Sequence, residues 1–177
     1  MIVTGYHTLE NKDNIDEVEM DGPFDCTHNG AWLGLGSYFW DTNIKWAHEW
    51  GRIGYNNKRK KYIICSCQLD LSKNCFDLVG NVQHQIDLMG CIDVMIKSKK
   101  IANAKEAIIP NLILFLKRKG LFPFHSIRAA DMHRGIMRVK FRGDREEYMI
   151  VNQRVQVCVI EKKTVILPPL KVVYIEE

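Results

Sequence analysis

Apolar positions along the chain follow two different periods, and these periods predict where strands and helices lie. Residues 2 to 8 (IVTGYHT) and 61 to 71 (KYIICSCQLDL) are rich in β-branched and apolar residues, so each segment predicts a strand. Residues 10 to 25 are acidic and lack a period, which predicts an irregular loop or a short helix. Residues 31 to 40 (AWLGLGSYFW) predict a glycine-rich bend that leads into a third strand.

A helix is predicted directly after that third strand. Asp41 or Thr42 is expected to cap its start, and Gly51 is expected to end it. Its predicted apolar face consists of Ile44, Ala47 and Trp50, with Trp46 near one edge. The chain therefore passes from strand to helix within a few residues.

The middle of the chain carries the longest helical pattern. Apolar residues recur there at spacings of three and four, which predicts a helix from about 79 to 97 with one apolar face. The residues of that face are Val79, Val82, Ile86, Met89, Ile92 and Ile96. A further helix is predicted from about 104 to 118, broken by Pro110 so that 111 to 118 forms a separate turn or two.

Beyond Phe124 the pattern changes to short extended segments. The predicted strands lie within residues 126–130, 135–141, 147–151, 154–160 and 164–175. Helices in the middle and strands at both ends are typical of an α+β protein, whose antiparallel or mixed sheet joins segments distant in sequence. At 177 residues with 46% hydrophobic residues, the chain is expected to form a single domain over residues 1–177.

Composition narrows the environment and excludes several kinds of site. The net charge of +4 is modest, and the basic run 58 to 61 is interpreted as a solvated loop rather than a nucleic-acid site. No apolar run approaches the roughly 18 residues of a membrane span, and no signal peptide precedes Tyr6, so a cytoplasmic protein without membrane contact is expected. The six cysteines lack C-x-x-C spacing, which favours burial of reduced thiols, and no metal site is expected.

Two short segments suggest a function when they are taken together. Segment 5 to 8 (GYHT) resembles the Y-H-G-T segment of the ADP-ribosyltransferase superfamily, and segment 33 to 50 (LGLGSYFWDTNIKWAHEW) resembles the L-G-x-G-I-Y-F strand and helix of that superfamily. Segments 68–78, 125–135 and 155–165 are similar, in the same order, to segments of small bacterial and phage-associated members. The resemblance implies an ADP-ribosyltransferase-like split β-sheet, with helices packed around a cleft that binds NAD as the substrate.

The resemblance also implies roles for individual residues. His7 is expected to hydrogen-bond the adenosine-side ribose, and the backbone of Thr8 is expected to hold the nicotinamide amide. Tyr38 is expected to stack on the nicotinamide ring, whose positive charge favours an aromatic face, and Ser37 is expected to bond the amide. Arg128 is a candidate ligand contact, although it is also suited to bridging the sheet to a carboxylate. His133 and Arg134 are further candidates for the rim of the cleft.

The third motif position has two candidates. In the superfamily a glutamate on a late strand stabilises the oxocarbenium-like cation. Gln156 matches the small bacterial group, in which glutamine is usual, whereas Glu147 resembles the E-Y-I-V strand of the poly-ADP-ribose polymerase branch. Gln156 is favoured because the segments on both sides of it match the closer group in order.

The resulting hypothesis is an enzyme that transfers ADP-ribose from NAD to a macromolecular acceptor, either protein or nucleic acid. The resemblance allows a toxin or defence effector, with an antitoxin or regulatory protein as a partner. NAD hydrolysis is the enzymatic alternative, with water as the nucleophile. A catalytically weak module that binds NAD or ADP-ribose is the third reading, because glutamine replaces the charged glutamate.

Overall fold

The computed structural model of the chain describes residues 1–28, 30–133 and 135–176, and it contains strands and helices in similar proportion. The strands are β1 (Ile2–Glu10), β2 (Ser37–Asp41), β3 (Tyr62–Asp70), β4 (Cys75–Asp77), β5 (Ser126–Asp131), β6 (Arg138–Lys140), β7 (Tyr148–Ile150), β8 (Arg154–Val159) and β9 (Ile166–Ile175). The helices are α1 (Ile15–Asp21), α2 (Ile44–Gly54), α3 (Val82–Lys97), α4 (Ile109–Arg118) and α5 (Lys162–Val165). Short 3-10 helices lie at Asn56–Lys58 and Ala104–Glu106. The predicted α+β class is confirmed.

Seven of the strands form one mixed sheet in the order β4-β5-β8-β2-β1-β3-β9. Only the β4–β5 pair is parallel, and the other pairs are antiparallel. The prediction of a mixed sheet that joins distant segments is therefore confirmed. Strands β6 and β7 form a separate two-stranded hairpin just before β8.

The two halves of the sheet meet at a narrow join. Strand β1 pairs with β3 over nine residues, but it pairs with β2 only at Gly5 opposite Asp41 and Tyr6 opposite Trp40. Residues 7–10 of β1 and 37–39 of β2 form no ladder with each other, so the strands separate beyond Tyr6. The expected split into two sheets is therefore not complete, because these two pairs keep the sheet continuous. We call the space between 7–10 and 37–39 the β1–β2 opening.

Both faces of the sheet are covered. On one face, Phe39 of β2 and Val157 of β8 are fully buried with Ile63 of β3, and α1 adds Val18. Each such side chain contributes about 1.5–3 kcal/mol by leaving water. The opposite face carries α2 over one half and α3 with α4 over the other.

Helix α2 differs from its prediction in its cap and in its buried face. Asn43 is the cap, because its side chain accepts a hydrogen bond from the backbone N–H of Lys45. Asp41 belongs to β2 instead, so neither Asp41 nor Thr42 caps the helix. Trp46 is 3% exposed and lies in the core, whereas Trp50 is 48% exposed. The helix also continues past the predicted end, to Gly54.

Helix α3 is confirmed, but its predicted apolar face is largely wrong. Val82, Ile86 and Met89 are more than half exposed, while Cys91 and Met95 are buried. The reason is that α4 packs against the side of α3 that carries Cys91 and Met95. The opposite side of α3 meets no other element of the described chain closely enough to be buried.

The predicted break at Pro110 is confirmed. Proline lies in the first turn of α4, where its missing N–H would have no helical partner in any case. The last predicted strand begins instead with the short α5, which is followed by β9. Among the described residues, no helix is both long enough and apolar enough to cross a lipid bilayer.

Candidate functional site

His7 lies in the β1–β2 opening and links the two halves of the sheet. Its Nδ1–H donates to the backbone carbonyl of Tyr38 at 2.7 Å, and its ring centroid lies 5.4 Å from that of Phe39. Because a carbonyl oxygen only accepts, this bond assigns the proton to Nδ1 and leaves Nε2 as an acceptor. Nε2 has no hydrogen-bond partner within the described ranges.

The environment of His7 favours the neutral ring. Burial is the largest cause and lowers the pKa of His7 from its ordinary value of 6.5, whereas the hydrogen bond to Tyr38 opposes this shift. The charge of Lys162 lowers the pKa further, and that of Asp25 raises it. His7 therefore offers a hydrogen-bond acceptor of fixed orientation at neutral pH.

Tyr38 ties β2 to the preceding loop. Its hydroxyl donates to the carbonyl of Gly34 at 2.7 Å and accepts from the N–H of Leu33 at 2.9 Å. Its ring is partly buried against Leu33 and Cys158, and burial raises the pKa of the Tyr38 hydroxyl. Gly34 has φ +94, a conformation that favours glycine, so this loop depends on that residue.

The side chains of Ser37 and Thr8 already have internal partners. Ser37 is fully buried and donates to Asp25 at 2.6 Å, and Asp25 is paired with Lys162 at 3.1 Å. Thr8 donates to the carbonyl of Ala47 in α2 at 3.0 Å. A bond from Ser37 to a nicotinamide amide, as the sequence predicts, would therefore compete with Asp25.

The two candidates for the third motif position lie in different parts of the fold. Gln156 is in β8 opposite Trp40, is 8% exposed, and accepts a 2.5 Å hydrogen bond from Nε1 of Trp32. Glu147 is exposed just before β7, where its nearest cation is Arg145 at 3.7 Å. Gln156 is thus two strands away from His7 in the sheet, whereas Glu147 is in the hairpin outside it.

Arg128 bridges three strands of the sheet. Its Nε donates to Asp41 at 2.7 Å and its Nη1 donates to Asp77 at 3.2 Å. The two carboxylates lie on β2 and β4, on either side of the arginine in β5. The bridging role considered from the sequence is therefore observed, and ligand contact by Arg128 stays a prediction.

Three residues of this region were not singled out as site residues from the sequence. Trp32 covers Gln156, and Asp25 and Lys162 form an ion pair close to His7. Each is brought in by a loop or a short helix, so only the tertiary structure reveals it. A cavity of about 250 Å³ lies beside Trp32, between Leu33 and Ala129.

A second polar cavity lies at the other end of β8. It has a volume of about 430 Å³ and is lined by Trp46, His133 and Arg154. His133 lines this cavity, its place at the rim of an NAD cleft stays a prediction, and Arg134 falls outside the described residues. Arg154 is paired with Asp131 and lies over the ring of Trp40, so its charge is partly compensated.

Most of the cysteines are buried as free thiols. Cys65, Cys67 and Cys158 are buried as predicted, and burial raises the pKa of each thiol to about 12. Across residues 1–28, 30–133 and 135–176, no group of three or more His, Cys, Asp or Glu side chains could hold a metal ion.

Comparison with known proteins leaves the family open. No protein-family model, curated protein or solved structure matches the chain. The resemblance to ADP-ribosyltransferases therefore remains a prediction from the sequence.

Proposed function

We propose that this protein is an NAD-dependent ADP-ribosyltransferase that binds NAD at the β1–β2 opening. The observation that carries the proposal is the hydrogen bond from His7 to the backbone of Tyr38. It connects the two residues to which the sequence resemblance assigns NAD binding, across the place where the two halves of the sheet separate. The proposal assigns the NAD site to this place although two residue pairs keep the sheet continuous there.

His7 would bind the ribose on the adenosine side of NAD. A neutral imidazole with its proton on Nδ1 accepts a hydrogen bond at Nε2, and a ribose hydroxyl is a suitable donor. The Nδ1–H bond to Tyr38 orients the ring before the ligand arrives. This preorganisation reduces the entropy lost on binding.

Tyr38 and the loop before it would receive the nicotinamide ring. The ring of Tyr38 is only partly buried, so one part of its surface remains accessible to a stacking partner. In the structure the indole of Trp32 donates to Gln156, so access to Gln156 requires that indole to move. Trp32 lies in the same loop as Leu33 and Gly34, whose hydrogen bonds to the Tyr38 hydroxyl would have to change if this loop moves.

The chemical step breaks the bond between the nicotinamide nitrogen and C1′ of the ribose. The bond electrons go to the nicotinamide ring and neutralise its positive charge, and an oxocarbenium-like ribosyl cation forms. A nucleophile of the acceptor then attacks C1′ and loses its proton. Gln156 would orient a ribose hydroxyl through its amide, but it adds no negative charge, so we expect slow turnover.

The target is a macromolecule, either protein or nucleic acid, and a neutralising antitoxin or regulatory protein is a further partner within this proposal. A toxin or defence role follows only from the sequence resemblance.

The second candidate function is a module that binds NAD or ADP-ribose without cleaving it. It is favoured by one observation, the neutral Gln156 with its oxygen already bonded to Trp32.

Nicotinamide release from NAD by the purified protein, measured with and without a cell lysate as the source of acceptors, tests the proposal. Release that increases with lysate, together with labelling of a macromolecule, supports the transferase. Equal release without lysate indicates the hydrolase, and saturable NAD binding without release indicates the binding module. Absence of both binding and release contradicts all three functions.

Two matched variants locate the site in the same assay. Tyr38→Leu keeps an apolar side chain in the core but removes the aromatic face, so NAD binding should weaken about tenfold or more. Tyr148→Leu removes a tyrosine of the exposed β6–β7 hairpin and serves as the control. Equal NAD affinities of the two variants would exclude Tyr38 from the site.

A further inference from the structure

The surface formed by α3 and α4 has apolar side chains that no part of the described chain covers. Ile86 and Val94 of α3 are half exposed, and so is Leu114 of α4, while Leu121 in the following loop is 63% exposed. Between the two helices and this loop lies a cavity of about 690 Å³, which we call the α3–α4 groove. Its walls include Ile86, Val94, Phe115, Leu116, Leu121 and Phe124.

Gly90 creates part of the depth of this groove. It lies one helical turn from both Ile86 and Val94, and a Cβ atom added there would meet no other atom within 4 Å. Glycine in the interior of a helix costs about 0.5–1 kcal/mol relative to alanine, and nothing in the packing requires it here. Its effect is to leave a gap in the row of side chains that faces the groove.

Positive charge is concentrated in the segment of the chain that forms this groove. Residues 82–121 contain seven basic and three acidic residues, an excess of four that equals the net charge of the whole chain. The basic residues are Lys97, Lys99, Lys100, Lys105, Lys117, Arg118 and Lys119. Within the described parts of the chain, none of the seven forms an ion pair with a carboxylate.

From this combination we propose that the α3–α4 groove binds an acidic amphipathic helix of a protein partner. The apolar walls accept side chains of such a helix at positions i, i+4 and i+7, and the cations of residues 82–121 attract its Asp and Glu residues. The concave shape suits an inserted helix better than a flat lipid surface. Nucleic acid is disfavoured because the walls are largely apolar, and in the described structure they carry one cation, Lys119, and one anion, Asp87. This proposal does not depend on NAD chemistry.

Fluorescence anisotropy with a synthetic peptide tests the proposal on the full chain. The probe is a labelled helical peptide of about 20 residues with leucines at the spacing above and glutamates elsewhere. Its affinity should exceed that of a scrambled peptide, and that of a version with lysine for glutamate, by about tenfold or more. Binding should weaken between about 50 mM and about 300 mM NaCl, because the seven cations of residues 82–121 are exposed and salt screens their charge. Equal binding of the three peptides would overturn the proposal.

Substitutions at Gly90 distinguish the groove from the rest of the basic surface. Gly90→Leu fills the open space without removing any contact, so peptide affinity should fall about tenfold or more. Gly90→Ala adds only a methyl group and should change affinity by no more than about twofold. Unchanged affinity in Gly90→Leu, with an unchanged melting temperature, would show that the peptide does not use the groove.

Other occupants give different outcomes, and each would overturn the proposal. A dimer in solution that dissociates in Gly90→Leu would assign the groove to a second copy of the chain. Tighter binding to phosphatidylserine vesicles or to a single-stranded RNA than to the acidic peptide would assign the surface to a membrane or to nucleic acid. A drop in acidic-peptide affinity in Lys117→Glu and Lys119→Glu, with intact folding, supports the proposed partner.

Discussion

In the central sheet the charged side chain of Arg128 is largely buried and has a carboxylate on each side. In contrast, seven cations of residues 82–121, which contain α3 and α4, are without an ion pair in the described structure. The apolar side chains differ in the same way. Phe39 and Val157 of the sheet are fully buried, whereas Ile86 and Met89 of α3 are more than half exposed. The charge of Arg128 and these apolar side chains of the sheet are thus satisfied within the chain, whereas those of the helical layer are exposed to solvent.

This difference separates residues that maintain the fold from residues that can bind a partner. A buried charge is stable only with its partners, so its loss reduces the free energy of unfolding. An exposed cation is hydrated and contributes little to that free energy. Within the sheet, a group without an internal partner is likewise suited to a ligand. The Nε2 of His7 is such a group, because it lacks a hydrogen-bond partner among the described residues.

The largest effect is expected from removing the arginine of the sheet. Arg128→Met leaves Asp41 and Asp77 buried without their cation, so the free energy of unfolding should fall by about 3–5 kcal/mol. Arg118→Met removes an exposed arginine of α4 and should change it by less than about 0.5 kcal/mol. Urea denaturation of both variants measures the contrast. Similar losses in the two would remove the distinction between the regions.

The next effect concerns turnover rather than stability. Gln156→Glu supplies the negative charge that the proposed mechanism lacks, and nicotinamide release should rise by about 10²-fold or more. Glu147→Gln alters a carboxylate in the exposed hairpin and should leave the rate unchanged. A large loss of activity in Glu147→Gln, with no effect of Gln156→Glu, would reverse the assignment of the third motif position.

Two helix glycines allow the packing of the two regions to be compared directly. Gly51→Ala in α2 would place a methyl group against the ring of Tyr62, which should cost about 1–3 kcal/mol. Gly90→Ala in α3 meets open space and should stabilise the protein by about 0.5–1 kcal/mol. Thermal or urea unfolding measures both. Destabilisation by Gly90→Ala would mean that the α3–α4 groove is closed in solution.

The smallest effect is the pH dependence of His7. Burial lowers the pKa of His7 below 6.5, so the unfolded chain takes up a proton at a pH at which the folded chain does not. The free energy of unfolding should therefore fall as the pH decreases below 6.5, and His7 contributes no pH dependence well above that value. His7→Gln should reduce this slope between pH 6.5 and about pH 5, as measured by urea denaturation. An identical slope in the variant would show that His7 is not buried as a neutral ring.

Much of the secondary structure followed from local sequence. β-branched runs marked β1, β3 and β8, and the recurrence of apolar residues marked α3. Burial of individual residues was less predictable, because Trp46 and Trp50 lie in the same helix with the same chemistry. Only the position of α2 on the sheet decided that Trp46 is buried and Trp50 is exposed.

The candidate site was predictable only in part for the same reason. His7, Tyr38 and Gln156 stood out because their flanking residues resemble family motifs. Their partners Trp32, Asp25 and Lys162 were not singled out, because a hydrogen bond or ion pair between distant residues leaves no local pattern.

The sequence by itself determined the α+β class, the order of most strands and helices, and the residues that the resemblance links to NAD. The tertiary structure decided that β1 and β2 separate beyond Tyr6, that Arg128 bridges carboxylates, and that one face of α3 stays uncovered. Local propensity and apolar period depend on residues a few positions apart, so the sequence carries them directly. The neighbours of a side chain depend on how distant segments meet, and only the folded chain specifies that.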